Sequence, residues 1–367
     1  MQTQLPSLRV MPCFVGRFLW LVLCSLVVDL PTCLSQPVVR GLVVSDSLLR
    51  AHVYNLAADS LQGRRTGTIG QRRAAAYCQR ALRASHLTPV FKLDSVRTSY
   101  RQTFPIVFTN VATFGSLPGN STSYRQAELA DGPLSHQDSS RALFGINLGG
   151  LLPGLDLKKE IIVVSAHYDH VGASGGLVYH GADDNASGTA AVLGVAAVFD
   201  SLARKGLRSR RTVLFVLFSG EEDGLLGSAY FVAHPPASLT QFVCALNADM
   251  VGRVDDDHKR APDYCYVLTD ANGSSLKKTV EQVNAQTVQL TLNQGGYNTD
   301  DDPEQFFRRS DQYSFARLGI PVLFFTNGSH SDYHRPTDTA KRIRYDVLRK
   351  RATLLFQTVW ALANPAP

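Results

Sequence analysis

The chain has 367 residues, 44% hydrophobic and 19% charged, a composition that builds a packed core and excludes a disordered or fibrous polymer. Its formal net charge is +6, with an isoelectric point near 9.0. The basic residues are scattered apart from Arg204–Arg211 and Lys341–Arg351; neither run is interleaved with stacking aromatics, which argues against a nucleic-acid partner.

The N-terminus reads as a secretory signal. Arg9 and Arg17 precede an apolar stretch from Phe18 to Val28, and the small-x-small triplet Cys33-Leu34-Ser35 follows Pro31. An apolar run of about 11 residues is short of the ~20 that a transmembrane helix needs. Residues 1–35 are therefore read as a cleaved signal peptide and residues 36–367 as one domain, secreted or periplasmic, with no membrane association after cleavage. An uncleaved anchor is the alternative.

Ser45, Asp46 and Ser47 are placed to cap a first helix over LLRAHVYNLAAD. The polar loop SLQGRRTGT separates it from a second helix, Ile69–His86, with apolar residues at helical spacing. Residues 91–152 form a variable segment rich in Ser, Gly, Thr and Pro, with short strands such as TFPIVFTNVATF at 103–114. From Leu157 onward apolar strands alternate with helices. Strands are predicted at Ile161–Ala166, Thr212–Phe218, Phe242–Ala248, Tyr264–Thr269 and Ile320–Phe325. Helices are predicted at Ala186–Ala203, Gly224–His234, Ser274–Asn284, near Asp311–Leu318, and over Asp346–Ala363. The alternation predicts an α/β fold, a three-layer α/β/α sandwich around a mostly parallel mixed sheet. Of six cysteines, Cys13, Cys24 and Cys33 lie in the targeting segment. Cys78, Cys244 and Cys265 remain, without paired metal-site spacing. A Cys244–Cys265 disulfide would suit an oxidising compartment.

Several strands end in the same chemistry. His167-Tyr168-Asp169-His170 and then GADDNASG follow the first, SGEEDG the second, NADMVGR the third, and TNGSHSDYHRPTD the strand at 320–325. In a parallel sheet these groups converge beyond the strands' carboxyl ends. Carboxylates packed that closely need a cation. Oxygen and imidazole donors without cysteine suit zinc in a catalytic site, with cobalt or manganese as substitutes.

The segments HYD, DNASG, GEEDGLLGS, NADM and SDYHRPTD, in that order, resemble the secreted two-zinc aminopeptidases and their glutamate-carboxypeptidase-like relatives, from about Leu49 to the C-terminus. That resemblance implies a zinc-exopeptidase-like fold, two Zn2+ per chain, and an aminopeptidase acting on peptide or dipeptide substrates. It implies that His167 and Asp249 bind one metal, that Glu222 and His334 bind the other, and that Asp184 bridges them. Glu221 would be the general base, and Asp169 would orient the His167 imidazole. Ser310-Asp311 resembles a family segment near the substrate cleft; Tyr333 and Arg253 either polarise the substrate or brace the sheet. The family pattern does not require His170, His180 or His330. Asp183 reads as a helix N-cap, and Asp300–Asp302 as a solvated loop. Two alternatives fit the same resemblance: a glutaminyl-cyclase-like enzyme with one working zinc, and a binding homologue without activity. The motifs leave the oligomeric state unknown.

Overall fold

The computed structural model describes residues 39, 41–110, 125–130, 143–293, 297 and 302–366. The expected signal peptide, residues 111–114 of the predicted strand, and Asp300 and Asp301 lie outside them. The longer strands of the main sheet are β1 (Arg101–Asn110), β2 (Arg125–Leu129), β3 (Leu143–Leu152), β4 (Leu157–His167), β5 (Arg211–Phe218), β6 (Phe242–Ala248), β7 (Tyr264–Leu268), β8 (Thr291–Asn293) and β9 (Val322–Thr326). Their spatial order is β8-β7-β9-β6-β4-β5-β3-β1-β2, and the short strand Thr88–Pro89 pairs with β3. The central strands β9, β6, β4 and β5 are mutually parallel. The variable segment supplies the antiparallel flank β1–β3. On the other side β7 runs antiparallel to β9 and parallel to β8.

The helices are α1 (Asp46–Leu56), α2 (Ile69–Ala84), α3 (Gly188–Arg204), α4 (Leu226–Ala233), α5 (Ser274–Gln286), α6 (Gln312–Ala316) and α7 (Tyr345–Ala363). Alternation along a strand divides the core into two layers. Ile162, Val164 and Ala166 of β4 and Val213, Phe215 and Leu217 of β5 pack with α1, α2, α3, α5 and α7. Their neighbours Ile161, Val163, Leu214, Val216 and Phe218 pack on the opposite face with Phe231 of α4 and Phe315 of α6. Burial on both faces is why these strands read as unbroken apolar runs. Each such Val, Leu, Ile or Phe side chain contributes roughly 1.5–3 kcal/mol. The fold is therefore the α/β/α sandwich expected from the sequence.

Ala182–Arg204 is apolar and long enough to cross a membrane, yet it is mostly buried. It is the central core helix, covered by the sheet, α1 and α7, and so is apolar all round. Ser45 Oγ accepts from the Leu48 N–H at the start of α1, and Thr68 Oγ1 from the Gln71 N–H at the start of α2. The possible Cys244–Cys265 disulfide is not formed. Cys244 lies on β6 and Cys265 on β7, with β9 between them, and both thiols are free and buried.

Candidate metal centre

Register brings the strand ends level. Phe218 of β5 lies opposite His167 of β4, Asn247 of β6 opposite Ser165, and Ala248 opposite Phe325 of β9. Each chain leaves the sheet at the same height, so the residues that follow meet over its carboxyl edge.

The Asp-Asn-Ala-Ser-Gly turn is fastened to that edge by its own side chains. Asn185 Nδ2 donates to the Ala248 carbonyl, and Asn185 Oδ1 accepts from the N–H groups of Gly188 and Met250. Position 188 must be glycine, because a Cβ there would lie 2.2 Å from the Ala248 oxygen. Asp183 does not cap a helix as expected. Its Oδ1 accepts from Gly252 N–H and Ser187 Oγ, while Oδ2 lies 3.1 Å from His330 Nε2. Asp338 Oδ2 accepts from the N–H groups of Asp183 and Asp184. The turn that presents Asp184 is thus tied to the loop that presents His334.

Two donor groups share Asp184. His167 Nε2 lies 3.2 Å from Asp249 Oδ1 and 3.4 Å from Asp184 Oδ1. The other Asp184 oxygen lies 3.0 Å from His334 Nε2, which is 2.9 Å from Glu222 Oε2. Glu221 approaches His167 only to 3.9 Å and faces the cleft. Asp169 sits behind His167: Oδ1 is 3.5 Å from Nδ1, and Oδ2 accepts from Thr66 Oγ1. His170, which the family pattern left out, stands in the centre with Nδ1 2.7 Å from Glu222 Oε1. His180 and His330 stand outside it, on Ala57 and Asp59 and on Asp183 respectively.

The expected substrate contacts divide. Tyr333 lines the cleft, its ring stacked 4.0 Å from that of His334 and its hydroxyl 3.3 Å from an Arg309 nitrogen. Ser310 touches the cleft wall, but its hydroxyl is committed to Asp249 Oδ2 at 2.7 Å and accepts from Asn247 Nδ2. It braces a candidate ligand. Asp311 is fully buried and does not reach the cleft. Arg253 does not reach it either; its guanidinium donates to Asp332 and faces Asp338, bracing the loop that carries His334. Asp302 is buried and not solvated as expected, accepting from the N–H groups of Glu304 and Phe306. Met250, Phe306 and Phe324 give the cleft an apolar wall beside Glu221 and Asp249.

One positioning residue has no sequence signal beyond a polar loop. Arg64 is fully buried and donates to the carbonyls of Leu56, Tyr168, His180 and Gly181, clamping both ligand-bearing loops against α1. Burial lowers its pKa, and the charges of Asp169 and Asp184 oppose that.

Electrostatics support a cation here. Burial disfavours each charge, and the neighbours decide the outcome. Against burial, hydrogen bonds from His167 and His334 hold Asp184 well below the usual carboxylate range. Glu222 falls to about 2, with burial and Asp184 overcome by His334 and His170. Burial drives Glu221 well above its ordinary value, helped by Asp249, Glu222 and Asp311 and opposed by His167. Against their burial, the carboxylates raise His167 strongly and His334 to about 11. The donor set fits zinc: imidazoles and carboxylates whose ligand atoms lie within 4.8 Å of one another in groups that include His167–Asp184–Asp249 and His170–Asp184–Glu222–His334.

The comparisons with known proteins bear on family and fold. The family description "Peptidase family M28" matches residues 147–359. The chain is 29% identical to the aminopeptidase YwaD of Bacillus subtilis over 55% of its length and 41% of that protein's. It is 28% identical to leupeptin-inactivating enzyme 1 of Streptomyces exfoliatus over 62% of its length and 51% of that protein's. It thus spans about half the length of these curated relatives. Among solved structures, BSAP, a zinc aminopeptidase from Bacillus subtilis, superposes with a TM-score of 0.62 at 20% identity, over 89% of this chain and 97% of that one. A glutaminyl cyclase from Porphyromonas gingivalis superposes with a TM-score of 0.59 at 15% identity, over 86% and 98%, so the fold does not select the reaction. On the match that spans most of its length, the chain belongs to peptidase family M28.

Proposed function

We propose that the protein is a secreted zinc aminopeptidase that removes N-terminal residues from peptides or dipeptides at a two-metal centre. The observation that carries this reading is the division of Asp184, with one carboxylate oxygen facing His167 and the other facing His334. His167, Asp249 and Asp184 would hold one zinc; Glu222, His334 and Asp184 would hold the other. Two such ions would supply Lewis acidity there, for activating water and polarising the scissile carbonyl.

The chain's own groups do the rest. Glu221 stands at the cleft outside both donor groups, placed to take a proton from the attacking water and return it to the leaving amine. Asp169, anchored by Thr66, keeps His167 aligned. Ser310, itself held by Asn247, holds Asp249. The wall of Met250, Phe306 and Phe324 suits an apolar first side chain. The signal-like segment at residues 1–35 supports export.

The test is a panel of aminoacyl nitroanilides with free and acetylated amino groups, assayed on zinc-loaded and chelator-stripped protein. Leucyl and phenylalanyl substrates should be cleaved fastest, acetylated ones not at all, and stripping should abolish activity until zinc is returned. Conversion of N-terminal glutaminyl peptides to pyroglutamyl products without cleavage would replace the peptidase reading with the cyclase.

A further inference from the structure

His170 ends the same loop as His167 and is buried with no exposure. Its Nδ1 lies 2.7 Å from Glu222 Oε1 and 3.8 Å from Asp184 Oδ2. His334 Nε2 completes the group at 2.9 and 3.0 Å from the same two carboxylates, and the two imidazole rings meet edge to face with centroids 5.6 Å apart. Two donors on one zinc, each about 2.1 Å from it, lie about 3 to 4 Å apart. The donor separations here, 2.7 to 3.8 Å, lie close to that spacing. Backbone choice agrees. Gly181 has φ +53°, and a Cβ there would lie 2.5 Å from Cγ and Cδ2 of His170, so glycine is what leaves room for this ring orientation. His170 Nε2, on the far side of the ring, has no hydrogen-bond partner among the described residues. The ring's polar contacts among the described residues are made by Nδ1, toward Glu222 and Asp184.

Resting on the two-metal reading, we propose that His170 is an additional metal ligand, so that the centre is built unequal. One site has four protein ligands, His170, Asp184, Glu222 and His334; the other has three, His167, Asp184 and Asp249. The four-ligand site fills first and holds its ion more tightly. The three-ligand site, beside Glu221 and the cleft, exchanges its ion more readily. A histidine that merely donated a hydrogen bond to Glu222 would leave the two sites alike in ligand number.

The experiment titrates Co2+ and Zn2+ into chelator-stripped full-length protein, wild type and the variants His170→Gln and His170→Ala, and follows calorimetry and the cobalt d–d absorption. Wild type should take up two ions in two resolved steps, the first with the weaker absorption of a higher coordination number. Both variants should bind the first ion roughly 100-fold or more weakly, beyond the 10–100-fold typical of losing an indirect partner. Their cobalt band should intensify as a ligand is lost. Glutamine keeps an amide donor for Glu222, so a His170→Gln protein with wild-type affinity and an unchanged band would overturn direct ligation. Should the variants fail to fold, X-ray absorption of wild-type protein with one equivalent of zinc decides the matter. Two imidazoles on that ion support the proposal; one imidazole refutes it. Failure of wild type to bind any metal would instead refute the two-metal reading itself.

Discussion

Arg64 offers the sharpest link between stability and the site. Replacing it with methionine fills much of the same volume but removes the donors that Arg64 gives to the carbonyls of Leu56, Tyr168, His180 and Gly181, the last of which also accepts from the Ala186 N–H. A buried acceptor left unsatisfied costs about 1–3 kcal/mol. Removing one side of a buried charged network costs roughly 3–5 kcal/mol. Water entering the vacated space recovers part of the loss, so we expect a net destabilisation of about 4 kcal/mol. For a chain of this size 1 kcal/mol moves Tm by about 2 °C, so Tm should fall by roughly 5–10 °C. Both loops that Arg64 holds carry candidate ligands, so zinc affinity should fall in the same variant. Arg64→Lys should recover only part, because an ammonium cannot reproduce the planar fork of donors. Thermal unfolding of the zinc-free proteins, followed by zinc titration, measures both effects. An Arg64→Met protein that melts with wild type and binds zinc equally well would refute the assignment of Arg64 as a clamp.

Ser310→Ala should leave the fold intact but deprive Asp249 of its 2.7 Å donor; we expect zinc affinity to fall about 10–100-fold, read by chelator competition. Glu221→Gln should retain zinc yet lower the peptidase rate by about 10²–10⁴, and an unchanged rate would remove Glu221 from the mechanism. The metal-free protein should lose stability as pH rises. Asp311 is pushed up to about 7 and Asp338 to about 6, chiefly by burial, so each binds its proton more tightly folded than unfolded. Their contribution is lost as pH rises from the unfolded carboxylate range through those values. His334, raised to about 11, contributes fully below the ordinary histidine value and loses its contribution between about 6.5 and 11. Tm of stripped protein should therefore fall by several degrees from pH 5 to pH 9; a flat or rising profile contradicts these assignments.

The centre of the fold was legible because β4, β5, β6 and β9 are buried on both faces, which leaves long apolar runs that periodicity detects. The clustering of His, Asp and Glu was legible for a related reason, since abrupt changes from apolar to such residues mark strands' carboxyl ends; which of them would be ligands came from the family resemblance. Strand direction was not, since nothing local to Tyr264–Leu268 says that it runs against β9. Nor was the role of individual polar residues. Arg64 sits in a loop that reads as solvated, and its partners include carbonyls more than a hundred residues away. His170, His180 and His330 look alike in sequence; the structure sends the first into the centre, the second to α1 and the third to Asp183. Arg253 read equally as a substrate contact or a brace, and Ser310 as part of a segment near the cleft; both hold ligand-bearing segments in place.

The most direct measurement is zinc content by elemental analysis set against peptidase activity as zinc is returned stepwise to stripped protein, with Asp184→Ala in parallel. With Asp184 serving both donor groups, wild type should bind two zinc ions per chain and reach full activity only as the second is added, while Asp184→Ala should lose affinity at both sites together. Full activity without bound metal, or an Asp184→Ala protein that still binds two ions tightly, would contradict a centre built around a shared Asp184.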